Sequence, residues 1–134
     1  MPQNIFIIQD PLNGDIIADV YDANIWTNDQ TIVWKILVEG IGWSKKQTNG
    51  PIQFAPGWMG SNPSPIGPAP GPDEFDRRIY TCQGPGPVTG SAVGSSYTFF
   101  YSTSPLDLAD DLRGGHRRGD DIAVDPDIWN QPQP

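Results

Sequence analysis

Residues 31–40, Thr-Ile-Val-Trp-Lys-Ile-Leu-Val-Glu-Gly, carry the clearest structural pattern in the chain. Apolar side chains recur at every second position, which is the period of a β-strand. The intervening positions are also largely apolar, interrupted by Lys35 and Glu39. A strand with two apolar faces is typical of the middle of a sheet, so we expect this segment to be central, with Trp34 in the core.

Six further segments read as strands bounded by turn-forming residues: 4–9, 15–21, 51–55, 76–83, 96–102 and 121–129. No helical pattern alternates with them, and the chain has few of the Lys and Glu residues that exposed helices use. About seven strands favour one all-β domain spanning residues 1–134. We therefore predict a single antiparallel β-sandwich, immunoglobulin/cupredoxin-like, with Trp34, Phe99 and Tyr101 between its sheets.

Proline and glycine, with 15 residues each, concentrate in the connections between these strands. Residues 56–72 hold six prolines, and we predict a long loop there because Pro lacks the N–H that helices and central strands require. We also predict a loop at 84–95, one helical turn at 106–111 and a C-terminal tail at 130–134. Pro-rich loops lose little entropy when they become ordered, which suits them to contact surfaces.

The formal net charge of −8 limits the classes of partner. Phosphate backbones and anionic membrane surfaces are bound through Lys and Arg, so we expect neither nucleic acid nor membrane as a partner. No apolar run approaches the roughly 20 residues that span a bilayer, and the N-terminus lacks the pattern of a signal peptide. We predict a cytoplasmic location, which a lone Cys82 without a disulfide partner also fits.

Catalytic and transition-metal sites have few residues to draw on. A blue-copper site needs two His and a Cys, and one His in the chain excludes such a site within it. His116 lies in a Gly- and Arg-rich segment, and we interpret it as a solvated loop residue. Cys82 lies in a predicted strand, where we interpret it as a buried, inert thiol. We predict that the chain is not an enzyme.

The last quarter of the chain is rich in aspartate. Asp110, Asp111, Asp120 and Asp121 are candidate ligands for Ca²⁺, which prefers carboxylate and carbonyl oxygens from loops. The spacing of an EF-hand is absent. The alternative is that these residues serve turn formation and solubility, and no other cofactor is predicted.

Several tryptophans lie at strand ends or in loops, where burial does not follow from the pattern. Trp43, Trp58 and Trp129 are candidate contact residues, because exposed aromatic rings stack on sugars and anchor protein interfaces. The alternative is that these rings plug the ends of the sandwich beneath the long loops.

The closing segment Asp125-Pro126-Asp127-Ile128 carries a family resemblance. It resembles the last strand of small bacterial β-sandwich proteins, the inclusion-body proteins of the PixA/AidA type, which end in a comparable Asp-Pro-x-Ile segment. An early strand that leads to a Trp-bearing strand and then to a Pro-rich loop is also similar. The resemblance implies the fold and carries no mechanism.

Two functional hypotheses follow. The first is a non-catalytic protein that mediates protein–protein or self-association through its long loops and termini. The alternative is a carbohydrate-binding module that uses exposed Trp residues, with Ca²⁺ bound by the aspartate cluster. A third hypothesis, an enzyme, requires a pocket that brings His116 or Cys82 to a carboxylate.

Overall fold

The computed structural model describes residues 2–25, 30–85, 93–106, 112–115 and 125–131, and these ranges contain no helix. They form two mixed β-sheets that pack together, so the all-β prediction is confirmed. The strands in chain order are β1 Gln3–Gln9, β2 Ile16–Ala18, β3 Asp22–Ile25, β4 Thr31–Ile36, β5 Gly42–Trp43, β6 Ile52–Phe54, β7 Ser64–Pro65, β8 Tyr80–Gln83, β9 Val93–Ser102, β10 Leu112–Gly114 and β11 Asp127–Asn130.

Sheet A has the strand order β2-β1-β4-β8-β7. Strand β4 lies in the middle, as its two apolar faces predict. It pairs in parallel with β1 and antiparallel with β8. The parallel pairing arises because the chain leaves sheet A after β2, runs through sheet B as β3 and then returns.

Sheet B is organised around the ten-residue strand β9, which pairs antiparallel with β5, β6, β10 and β11. Strand β3 extends this sheet through a parallel pairing with β11. The sheets are therefore mixed, and the prediction of a purely antiparallel sandwich is wrong. The described residues also form eleven strands where about seven were expected, and several of them are only two or three residues long.

The predicted strand at 15–21 shows why the count differs. Strand β2 ends at Ala18, and the Asp19 carboxylate then accepts a hydrogen bond of 2.8 Å from the Phe6 backbone N–H. The chain turns toward sheet B, where β3 begins at Asp22. The predicted helical turn at 106–111 and the first half of the strand at 121–129 fall on 107–111 and 121–124, outside the described residues.

The core between the sheets is built around Trp34, which is fully buried as expected. Its indole meets the rings of Tyr97 and Phe54 edge to face, with ring centres 5.6 and 6.1 Å apart. Such pairs add about 0.5–1.5 kcal/mol each beyond their buried area. Phe99 is also fully buried, and the partly buried Tyr101 packs against this core.

The Pro-rich segment 56–72 is a loop only in part. Ser64 and Pro65 form β7 and pair with β8 at the edge of sheet A, a position where a missing N–H costs no ladder bond. Lys45 secures the end of this segment, because its Nζ donates to the carbonyl oxygens of Gly71 at 3.1 Å and Pro105 at 2.9 Å. The segment is thus held by strand pairing at Ser64 and Pro65 and by hydrogen bonding to Lys45 at its end.

Candidate interaction surface

Sheet A carries an unusually apolar surface on the side facing away from the core. Ile5, Ile7, Trp34 and Ile36 point into the core, so their sequence neighbours take the opposite face. We call this opposite face the outer face. Its apolar residues are Phe6, Ile8, Ile17, Val33, Leu37, Ile66 and Ile79, and its polar residues include Lys35 and, on either side of Val33, Asn4 and Thr81. A sheet that meets water on one side normally carries polar residues there, and contiguous apolar patches mark interaction sites.

Strand register makes the outer face continuous from one edge of sheet A to the other. Ile8 lies opposite Ile17, and Phe6 lies opposite Lys35. At the far edge, the Ile66 N–H donates a hydrogen bond of 2.9 Å to the Ile79 carbonyl oxygen. Ile17 is buried without belonging to the core cluster, which agrees with its place on the other side of the sheet.

The side chains of the outer face are substantially open to solvent at its centre and far edge. Exposed fractions are 59% for Ile66, 50% for Leu37 and 37% for Ile79. Lys35 lies in the outer face and belongs to neither ion pair of the described residues, Arg78–Asp76 and Arg113–Asp125. Two further charged residues adjoin the face: Asp19 bonds to the backbone of Phe6, and Arg77 donates to the carbonyl oxygens of Ile36 and Val38 on either side of Leu37.

A hollow of about 330 Å³ adjoins the outer face where β4 ends. It is lined by Ile8, Gln9, Leu37, Val38 and Glu39. The exposed Glu39 places a carboxylate beside the apolar side chains of Ile8 and Leu37. This combination fits an aliphatic side chain that ends in a cation, which is the chemistry of lysine.

A buried ionic network holds the start of β8, and with it Ile79. The Asp76 carboxylate accepts two hydrogen bonds of 2.9 Å from Nε and Nη2 of Arg78 and lies 3.4 Å from the Tyr80 hydroxyl. The hydrogen bond to Asp76 raises the pKa of Arg78, and burial raises the pKa of Tyr80 to about 12. Arg78 and Tyr80 flank Ile79 in sequence, so the network fixes its orientation.

Trp43, predicted as a contact residue, is buried, with 1% of its surface exposed. Its indole Nε1 donates a hydrogen bond of 2.8 Å to the Arg78 carbonyl oxygen, and its ring meets Tyr80 edge to face. Gly42 permits this arrangement because any Cβ there would lie within 2.9 Å of the Asp76 backbone. The prediction of a surface contact at Trp43 is therefore corrected: this ring is buried in contact with Arg78 and Tyr80.

Trp58 and Trp129 are partly exposed. Trp58 stacks in parallel on Phe54 with ring centres 3.9 Å apart. Trp129 belongs to sheet B, where its ring lies over Gly94 and its Nε1 donates to Asp22 at 3.0 Å. Their role as contact residues stays a prediction.

Most of the candidate metal ligands and nucleophiles lie outside the described residues. Asp110, Asp111, Asp120 and Asp121 lie outside the described residues, as does His116, and the described residues hold no group of three acidic, His or Cys side chains that could bind a metal. Cys82 is buried in β8, where burial raises its pKa to about 12. A thiol held in this protonated form is a poor nucleophile.

Comparisons with protein families, curated proteins and solved structures found no match for this chain. The likeness of residues 125–128 to PixA/AidA-type proteins therefore depends on the sequence pattern alone. Among the described residues, no helix has the length and apolar character needed to cross a membrane.

Proposed function

We propose that this protein is a non-catalytic self-association module whose copies pack through the outer face of sheet A. The observation that supports the proposal is the apolar surface of the outer face, in which Leu37, Ile66 and Ile79 are exposed to solvent. Ile66 comes from the Pro-rich segment 56–72, so this segment contributes to the contact as the sequence suggested. The tail residues 132–134 lie outside the described residues.

The arrangement of charge at the end of β4 and in the residues that follow it favours a second copy of the chain as the partner. Lys35 and Glu39 stand two residues before and two residues after Leu37. If the 35–39 segments of two copies run in opposite directions and cross at Leu37, Lys35 of each copy lies over Glu39 of the other. The surface is then complementary to itself, which is the requirement for a two-fold symmetric dimer.

The apolar and charged contacts have different roles in this dimer. Exposed ion pairs contribute only about 0–1 kcal/mol, so the affinity comes from burying Leu37, Ile66 and Ile79. The Lys35–Glu39 contacts set the orientation of the two copies. Each lysine stem enters the hollow beside Leu37, and its ammonium group reaches the carboxylate at the rim.

The finer description of the fold is part of this proposal. We assign the two sheets to an immunoglobulin/cupredoxin-like sandwich, supported by the buried Trp34 on the central strand of sheet A. Strand β11, which carries Ile128, would correspond to the closing strand of PixA/AidA-type proteins.

Light scattering coupled to size-exclusion chromatography tests the proposal over a wide range of protein concentration. The wild type is expected to shift from monomer to dimer as concentration rises, and Leu37→Asp to remain monomeric. Leu12→Asp is the matched control, because Leu12 is 93% exposed in a turn and is not part of the outer face. A wild type that stays monomeric, or equal effects of the two substitutions, would overturn the proposal.

A further inference from the structure

A groove of about 530 Å³ lies between the free edges of the two sheets. One wall is the 48–54 segment with β6, and the other is the 62–65 segment with β7. Within the described residues, β6 pairs with β9 alone and β7 with β8 alone, so each has an unpaired edge. The volume falls within the range of small-molecule sites.

The lining of this groove carries no formal charge, in a chain whose net charge is −8. It is nevertheless polar. Thr48, Asn49, Asn62 and Ser64 line it, and none of these side chains makes a hydrogen bond with another described residue. Their hydroxyl and amide groups are therefore free to bind a ligand. Gln53 is held in place by hydrogen bonds from its Nε2 to Gly50 at 2.9 Å and to Gln47 at 3.2 Å.

Phe54 gives the groove an aromatic wall. Its ring stacks in parallel on the ring of Trp58, and the two ring planes differ by 5°. Trp58 is fixed in turn by a hydrogen bond of 3.0 Å from its Nε1 to the Ser61 carbonyl oxygen. Trp58 does not line the groove itself, so it acts as a positioning residue for Phe54.

We propose that this groove binds a neutral carbohydrate. Amide and hydroxyl groups both donate and accept hydrogen bonds, which matches the hydroxyls of a sugar, and the part of Phe54 that lines the groove can contact the C–H groups of a sugar. A charged ligand would find no ion-pair partner in the lining. An extended peptide would find few donors along β7, because Pro63 and Pro65 lack backbone N–H groups.

Calorimetric titration with maltotriose, cellotriose and chitotriose tests the site. Saturable binding of at least one trisaccharide is expected, with affinity at least tenfold lower for Asn62→Ala and unchanged for the exposed control Thr103→Ala. The Leu37→Asp variant should bind as the wild type does, which separates this test from the test of self-association. Absence of binding to all three sugars, binding that Asn62→Ala leaves intact, or binding of an alanine-rich extended peptide in their place would overturn the proposal.

Discussion

The backbone N–H of Ile66 donates a hydrogen bond of 2.9 Å to the carbonyl oxygen of Ile79, and this bond sets two exposed isoleucines side by side at the edge of sheet A. The bond continues the pairing of Pro65 with Tyr80 by one residue. It thereby brings a side chain from the Pro-rich segment into register with the outer face. A loop and a sheet thus form one apolar surface.

Replacing Ile66 with serine should weaken self-association with little effect on folding. Ile66 is exposed in the monomer, and surface substitutions of this kind usually change the free energy of unfolding by less than about 0.5 kcal/mol. Sedimentation equilibrium should show a dissociation constant raised at least tenfold for Ile66→Ser. Met59→Ser provides the comparison, because Met59 is also exposed in the Pro-rich segment and is not part of the outer face. Equal effects of the two changes would show that general hydrophobicity, and not this surface, drives association.

Removing the Asp76 carboxylate should destabilise the fold strongly. Asp76→Ala removes a buried carboxylate that accepts two hydrogen bonds from Arg78. Because the Arg78 side chain is 22% exposed and can be hydrated, we expect a cost of about 1.5–3 kcal/mol, below that of breaking a fully buried pair. The exposed Arg113–Asp125 pair, at 3.3 Å, offers a control: Asp125→Ala should cost less than about 1 kcal/mol. Urea unfolding followed by Trp fluorescence measures both changes. A loss at Asp76 no larger than that at Asp125 would contradict the assignment of a buried network.

Stability should fall in alkaline solution because buried phenol and thiol groups resist deprotonation in the folded state; burial raises the pKa of Tyr97 as well as those of Tyr80 and Cys82. Burial raises the pKa of Tyr80 from 10.0, and that of Cys82 from 9.0, to about 12 in each case. The unfolded chain releases these protons first, so the stabilisation is complete below about pH 9 and is lost as pH rises toward about 12. The urea concentration at the midpoint of unfolding, measured near pH 7, 9 and 10.5, should fall as pH rises. It should fall less for Cys82→Ala. A midpoint that is constant, or that rises with pH, would contradict it.

Gly114 should not tolerate a side chain. A Cβ at this position would overlap the buried ring of Phe99, and overpacking of a core costs about 1–3 kcal/mol. Gly71→Ala is the control, since the nearest atoms there belong to the flexible side chain of Glu74. Thermal unfolding should show a clear loss for Gly114→Ala and a small change for Gly71→Ala; similar melting temperatures would be inconsistent with the packing described.

The sequence predicts the central strand and core better than the surface. The alternation in residues 31–36 is sufficient to place β4 in the middle of sheet A and Trp34 in the core. The same alternation also indicates the outer face, because Val33 and Leu37 make the second side of this segment apolar. The sequence does not distinguish an exposed apolar face from a covered one, since a strand that is covered on both sides has the same pattern.

Features that depend on distant residues could not be predicted from local pattern. Trp43 is buried because Arg78 and Asp76, more than thirty positions later, bond to its indole and pack on Gly42. The parallel pairing of β1 with β4 depends on the passage of the intervening chain through sheet B. Composition and periodicity describe neither relationship.

Charge reversal at Lys35 and Glu39 tests self-association through the outer face most directly. In the proposed dimer, Lys35→Glu alone and Glu39→Lys alone each bring like charges together, so both variants should associate weakly. Mixed in equal amounts, they should form a heterodimer in which every crossing contact pairs opposite charges. Glu74→Lys has the same net charge as Glu39→Lys but leaves Lys35 and Glu39 unchanged, and it serves as the control partner.

Sedimentation equilibrium of these mixtures gives the decisive comparison. The proposed dimer predicts that Lys35→Glu dimerises with Glu39→Lys at concentrations where each of these two variants alone is monomeric. In the mixture with Glu74→Lys, the Glu74→Lys copies should associate with one another as the wild type does, and Lys35→Glu should remain monomeric. Equal incorporation of Lys35→Glu into dimers in the two mixtures, or no dimer in the mixture of Lys35→Glu with Glu39→Lys, would contradict the proposal.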